Sequence, residues 1–190
     1  MEAIKQHIKP KALWDSLWPY SGLPVLIAAL LLLQAGQTDP FVLLRSLLII
    51  VFGYIAAVLD IKTRRIPNKI VLAMLASWVL FMTPRLFFDT EASVMMLRDS
   101  MLGMLIGGGM FLLVYLISKK GLGGGDVKFM AAAGLYVGFE GTISSILLGT
   151  ILAAVTGLVL ILIRKIGRKD AIPLAPFLFI GIVTVLFLYY

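Results

Sequence analysis

Long uninterrupted apolar runs, separated by short polar breaks, constrain this chain more than any single residue does. The runs at about 40–60, 69–88, 100–118 and 142–163 each hold close to the ~20 residues a helix needs to cross ~30 Å of hydrocarbon. Shorter runs at 21–35, 127–139 and 172–190 bring the expected number of spans to about seven. The residues are 61% hydrophobic and only 14% charged, with a mean hydropathy of +1.02, far from the charged quarter usual in soluble domains. The expected fold is therefore all-α, a polytopic membrane helix bundle. Residues 1–39 are expected to form an interfacial segment plus a first span, and residues 40–190 the membrane core.

A formal net charge of +7 raises nucleic acid or acidic partners, so the placement of the 17 basic residues decides its meaning. Lys5, Lys9 and Lys11 precede the first span, and Lys62, Arg64, Arg65 and Lys69 follow the second. Lys119, Lys120 and Lys128 surround a glycine run, and Arg164, Lys165, Arg168 and Lys169 form a fourth cluster. These occupy alternate breaks, leaving Arg45, Arg85 and Arg98 for the other side, which is the asymmetry of the positive-inside rule. The charge thus reads as topology and not as nucleic-acid binding. It predicts a multi-pass protein of the cytoplasmic membrane, N-terminus inside and C-terminus outside. The first 20 residues carry Trp14, Trp18 and Tyr20 among charges, as an interfacial helix does. The run at 21–35 is short enough to mimic a signal peptide's apolar core, but the long charged segment before it favours a retained anchor. Cysteine is absent and His7 is the one histidine, which excludes thiol catalysis, disulfides and Cys/His zinc sites.

Two acids stand at the edges of apolar runs on the face this topology calls cytoplasmic: Asp60 and Asp126. An ionisable group at a membrane boundary is costly unless paired, hydrated or used. Asp126 closes the run Gly121-Leu122-Gly123-Gly124-Gly125-Asp126. That run is no P-loop, since Val127-Lys128 follows where Lys-Ser/Thr is required, and no dinucleotide fingerprint, since Lys128 stands where the third glycine belongs. Its glycines are expected to adopt dihedrals closed to other residues and to let another backbone approach Asp126. The start of a helix and Lys128 both favour the Asp126 anion. Two carboxylates brought together would share a proton, one activating water and the other protonating a carbonyl oxygen. Only two acids share this face at membrane depth, so no metal is expected. Taken singly, each aspartate also fits an interfacial salt bridge, Asp60 with Arg64 or Asp126 with a nearby lysine. Gly103-x-x-x-Gly107, Gly134-x-x-x-Gly138 and Gly107 to Gly109 read as helix packing, and Met95, Met96, Met101, Met104 and Met110 as gap filling.

In combination, these elements resemble the type IV prepilin peptidase family of membrane aspartyl proteases. An Asp at a span's end, then a basic loop and Ile66-Pro67-Asn68, is similar to that family's first catalytic element. Gly123-Gly124-Gly125-Asp126-Val127-Lys128 resembles its GxGD element, and Ala131-Ala132-Ala133-Gly134 with Gly138 continues the pattern. Ile172-Pro173-Leu174-Ala175-Pro176-Phe177 with Gly181 resembles the start of its last span. The resemblance covers about 41–190. It implies an endopeptidase that removes basic leader peptides from pilin-like precursors (prepilin, pseudopilin, Flp-type or archaellin-like), with Asp60 and Asp126 catalytic, Gly123 and Gly125 shaping the site and Lys128 tuning it. The resemblance implies no metal or organic cofactor, and since bifunctional relatives carry paired Cys-x-x-Cys motifs linked to N-methylation, a chain without cysteine is expected to be a peptidase alone. The sequence leaves a homodimer open. The competing class is a small proton- or ion-coupled transporter subunit using the same two aspartates.

Overall fold

A computed structural model describes residues 21–34, 39–118, 121–165, 167 and 172–189. The expected interfacial helix, His7, Lys119 and Lys120 lie outside them. The described residues form six helical stretches: α1 (Gly22–Gln34), α2 (Pro40–Thr63), α3 (Asn68–Phe88), α4 (Thr90–Ile117), α5 (Gly124–Leu162) and α6 (Ala175–Tyr189). Of these, α2, α3, α4 and α5 are each long and apolar enough to cross a membrane, while α1 and α6 are shorter apolar helices. The chain is thus an all-helical membrane bundle.

Local chemistry sets the ends. Asp39 accepts the Phe41 N–H at 2.9 Å and Pro40 takes the first position of α2, where a missing N–H costs nothing. The other end of α2 closes on Arg64 in the left-handed conformation (φ 52°), its N–H bonded to the Asp60 carbonyl at 2.8 Å. A single residue, Asp89, both ends α3 and caps α4 by accepting the Ala92 N–H at 3.1 Å. That cap explains why α4 begins at Thr90 and not near Ser100: the polar stretch holding Glu91, Arg98 and Asp99 is helical too.

The 39 residues of α5 are not one rod. Gly138 has φ 76° and ψ −174°, a conformation closed to L side chains. In an unbroken helix Met130 and Thr142 would lie about 18 Å apart. Instead both meet Gly107 of α4: a Cβ built there would stand 2.5 Å from the Met130 carbonyl oxygen and 3.2 Å from Thr142 Cγ2. The chain therefore folds back at Gly138, giving a first arm up to residue 137 and a second from 139, close to the two spans expected at 127–139 and 142–163. Asp99 makes the reversal possible. Its Oδ1 accepts the Phe139 N–H at 3.0 Å, capping the second arm from a different helix. The second arm then runs antiparallel to α6, with Gly149 against Leu178 and Gly181 against the Ser145 carbonyl.

The small residues at Gly103 and Gly134 let α4 and the first arm of α5 touch backbone to backbone, the packing their spacing predicts. On the other side, α3 is fastened to the same arm by side-chain hydrogen bonds. Trp78 Nε1 donates to the Leu135 carbonyl at 3.0 Å, and the Tyr136 hydroxyl donates to the Met74 carbonyl at 2.6 Å with Ser77 Oγ at 2.7 Å. Interhelical bonds of this kind contribute about 0.6 kcal/mol each inside a bilayer. Tyr136 and Phe129 are completely buried, so this short arm is the core around which α2, α3, α4 and α6 gather.

Candidate active site

The two aspartates are delivered by opposite kinds of helix end. Asp60 lies in the last turn of α2, and Asp126 in the first turn of α5, whose cap is Gly123. Their carboxylates are near enough to feel each other's charge. Elements far apart in sequence thus converge at one end of the bundle.

Asp60 is 6% exposed, and what meets it is backbone and not a cation. The Ala175 N–H donates to Oδ2 at 3.1 Å, and the Leu174 backbone also hydrogen-bonds the carboxylate. Both belong to the start of α6, whose unsatisfied N–H groups are a natural seat for an anion. Arg64, the partner an isolated salt bridge would use, contributes only a through-space attraction that ranks below these bonds. Asp126 receives a backbone bond from Gly123, while its Oδ1 is buried without a hydrogen-bond partner. An orphaned carboxylate oxygen beside a second carboxylate is the arrangement two acids adopt when they share a proton.

The three flanking residues singled out in the sequence each have a definite neighbour. A Cβ on Gly123 would stand 2.9 Å from Asp126 Oδ2, so a side chain there would displace the carboxylate. A Cβ on Gly125 would meet Ile66, at 3.2 Å from its Cβ and 3.4 Å from its backbone nitrogen. Lys128 Nζ donates to Asn68 Oδ1 at 3.1 Å, pointing away from Asp126. One part of the expectation needs correction. Gly123 has φ −75° and ψ 135°, open to any residue, and the positive-φ glycine of the described residues is Gly138. Within the run it is Gly123 and Gly125 whose neighbours are close, and the backbone that comes near Gly125 is the chain's own Ile66.

Sequence reasoning noted the Pro173-to-Pro176 segment but gave it no part in the site. The donors it contributes are backbone N–H groups, which carry no residue signature; the signal is the proline-broken turn that starts a helix. Among the described residues no three His, Cys, Asp or Glu side chains come together as a metal site would require.

The model of a family described as "Type IV leader peptidase family" matches residues 46–162. The chain is 33% identical over 145 residues to a prepilin leader peptidase/N-methyltransferase of Pectobacterium carotovorum, covering 72% of this chain and 48% of that protein. It is 30% identical over 162 residues to the protein of the same name in Bacillus subtilis, covering 80% and 59%, and 31% identical over 127 residues to that of Escherichia coli, covering 64% and 53%. The chain spans about half the length of the curated relatives it matches. No solved structure matches it.

Proposed function

This chain belongs to the type IV leader peptidase family, and from that premise we propose that it is a membrane-embedded aspartic endopeptidase that cuts basic leader peptides from pilin-like precursors at the cytoplasmic face of the membrane. The observation that supports this reading best is the meeting of Asp60 and Asp126, each within reach of the other's charge and neither neutralised by a basic side chain. Two like charges side by side, one buried and one half-buried, are costly, so the pair works with one proton between them.

The hydrogen bonds divide the labour. Asp60, already held by backbone donors of α6, is the carboxylate that takes a proton from the attacking water. Asp126, whose Oδ1 lacks a donor, carries the proton that is handed to the scissile carbonyl oxygen. Water oxygen attacks the carbonyl carbon, the tetrahedral intermediate collapses, and the peptide C–N bond breaks as the amine is protonated from the dyad. Gly123 and Gly125 keep the space around Asp126 clear, and Lys128 acts from the far side of the same helix turn. The sequence holds no cysteine, and the reading is therefore of cleavage without N-methylation.

The test is cleavage of a pilin-like precursor in membranes by the natural chain, Asp60→Asn and Asp126→Asn, with the released leader identified by mass and the mature N-terminus checked for methylation. The expected result is an unmethylated product with the natural chain and none with either variant at equal protein level. Cleavage by either variant removes that aspartate from the mechanism. Failure of the natural chain against a broad panel of precursors overturns the reading.

A further inference from the structure

The contacts that hold the two acid-bearing helix ends together point to a positioning role for a residue outside the dyad. From Asp60 the chain reaches Asn68 through a short, stiff bracket. Thr63 Oγ1 bonds the Leu59 carbonyl at 2.8 Å and lies 3.1 Å from the Arg65 carbonyl, Arg64 takes the left-handed conformation, Ile66 is 7% exposed, and the Ile70 N–H closes on the Pro67 carbonyl at 3.0 Å. From Asp126 to Lys128 the connection is one turn of α5. The bracket and the turn then meet twice. Ile66 lies against Gly125, and Asn68 Oδ1 accepts from Lys128 Nζ at 3.1 Å. The two acids thus occupy one side of a closed frame whose other side is these two contacts.

We infer that Asn68 is a positioning residue, whose hydrogen bond to Lys128, together with the Ile66–Gly125 contact, fixes the spacing of Asp60 and Asp126. The inference rests on reading that pair as the catalytic dyad. Acid–base transfer through two carboxylates tolerates little displacement, since an error of about 1 Å in the placement of catalytic groups can cost on the order of a hundredfold in rate. Asn68 and Lys128 are exposed, so water competes for their bond and its loss alone does little to the fold. Its effect belongs in turnover.

The experiment is a double-mutant cycle on the full chain in lipid vesicles with a pilin-like precursor. Asn68→Ala and Lys128→Ala are each expected to lower kcat about five- to tenfold, in keeping with the net worth of one ordinary, water-exposed hydrogen bond, with KM and thermal stability nearly unchanged. The double variant is expected to be no worse than either single one, because the same bond is lost once. Asn68→Asp keeps an acceptor for Lys128 and is expected to retain most of the activity. Losses that multiply in the double variant, a rise in KM at constant kcat, or full activity in Asn68→Ala would overturn the inference. A second measurement needs no catalysis. The chain has no cysteine, so Ile66→Cys with Gly125→Cys gives one unique pair, and their 3.2 Å Cβ separation is near the ~3.5–4.5 Å of a disulfide. Spontaneous cross-linking in membranes is expected. A pair that stays reduced under oxidant sinks the frame itself, whereas a pair that cross-links while the natural chain cleaves no precursor leaves the frame standing and sinks the peptidase reading.

Discussion

Both ends of this bundle carry aspartates, but they are surrounded in opposite ways. At the end where α2 begins and α5 turns back, Asp39, Asp89 and Asp99 are each matched to a nearby donor. Asp39 binds the Phe41 N–H and Arg85, the latter at 2.8 Å, while Arg85 also lies over the Phe41 ring. Asp89 caps α4, and Asp99 caps the second arm of α5. At the other end Asp60 and Asp126 face each other, and one oxygen of Asp126 is left without a partner. The same side chain is spent on architecture at one end and held unneutralised at the other. A fold keeps such an imbalance where strain is useful.

This contrast can be broken most decisively by exchanging aspartate for asparagine at both ends. Asp60→Asn or Asp126→Asn is expected to reduce cleavage by a factor of about 1,000 or more while the midpoint of thermal unfolding stays level or rises, because a repulsion is removed. Asp99→Ala should do the reverse. Loss of its cap should cost on the order of 1 kcal/mol, seen as a lower unfolding midpoint, with activity per folded molecule retained. Unfolding in detergent measured beside cleavage decides both, and a dyad variant that unfolds like Asp99→Ala would erase the distinction.

Gly138→Ala sharpens the architectural side. A methyl group there needs an unfavourable φ of 76° and would strike the Asp99 carboxylate, so the expected loss is about 1–3 kcal/mol from the backbone alone. A double variant with Asp99→Ala should recover part of the steric cost, which a cycle of unfolding midpoints would reveal.

The smallest effect is expected from acid. The hydrogen bond from the Arg85 guanidinium holds the Asp39 carboxyl below its ordinary value of 3.8. A depressed folded value means that this contribution is fully present above the ordinary value and fades as pH falls through the folded one. The midpoint of the natural chain should therefore drop as pH is lowered below about 4, and Arg85→Gln should flatten that limb slightly. Asp39 is largely exposed, so screening keeps the difference small.

Much of this was legible in the sequence because membranes leave few choices. Apolar runs of span length became helices close to their expected bounds, save that α4 starts at Thr90 and not near Ser100, and the two aspartates at polar breaks came together. What the residues did not disclose was geometry carried by backbone. The break expected between 139 and 142 fell within a few residues of the reversal at Gly138, but nothing there announced that the turn uses no loop or that an aspartate 40 residues away caps the second arm. The donors on Asp60 come from Leu174 and Ala175, two apolar residues whose side chains say nothing of the bond. The glycine run was recognised as special for a reason only partly right: crowding by Ile66 and by the Asp126 carboxylate, not unusual dihedrals, is what excludes side chains.

The early reversal at Gly138 also sets a depth. Counted from Gly124, the first arm of α5 rises only about 21 Å before turning, against about 30 Å of hydrocarbon in an ordinary bilayer. Arg98, Asp99 and Glu140 gather around the turn and favour a polar boundary for it. Along this arm the polar ends at Gly138 and at Asp126 therefore stand closer together than the two faces of a full bilayer. Longer acyl chains would widen that mismatch, and the lipid beside this arm would meet it by thinning locally.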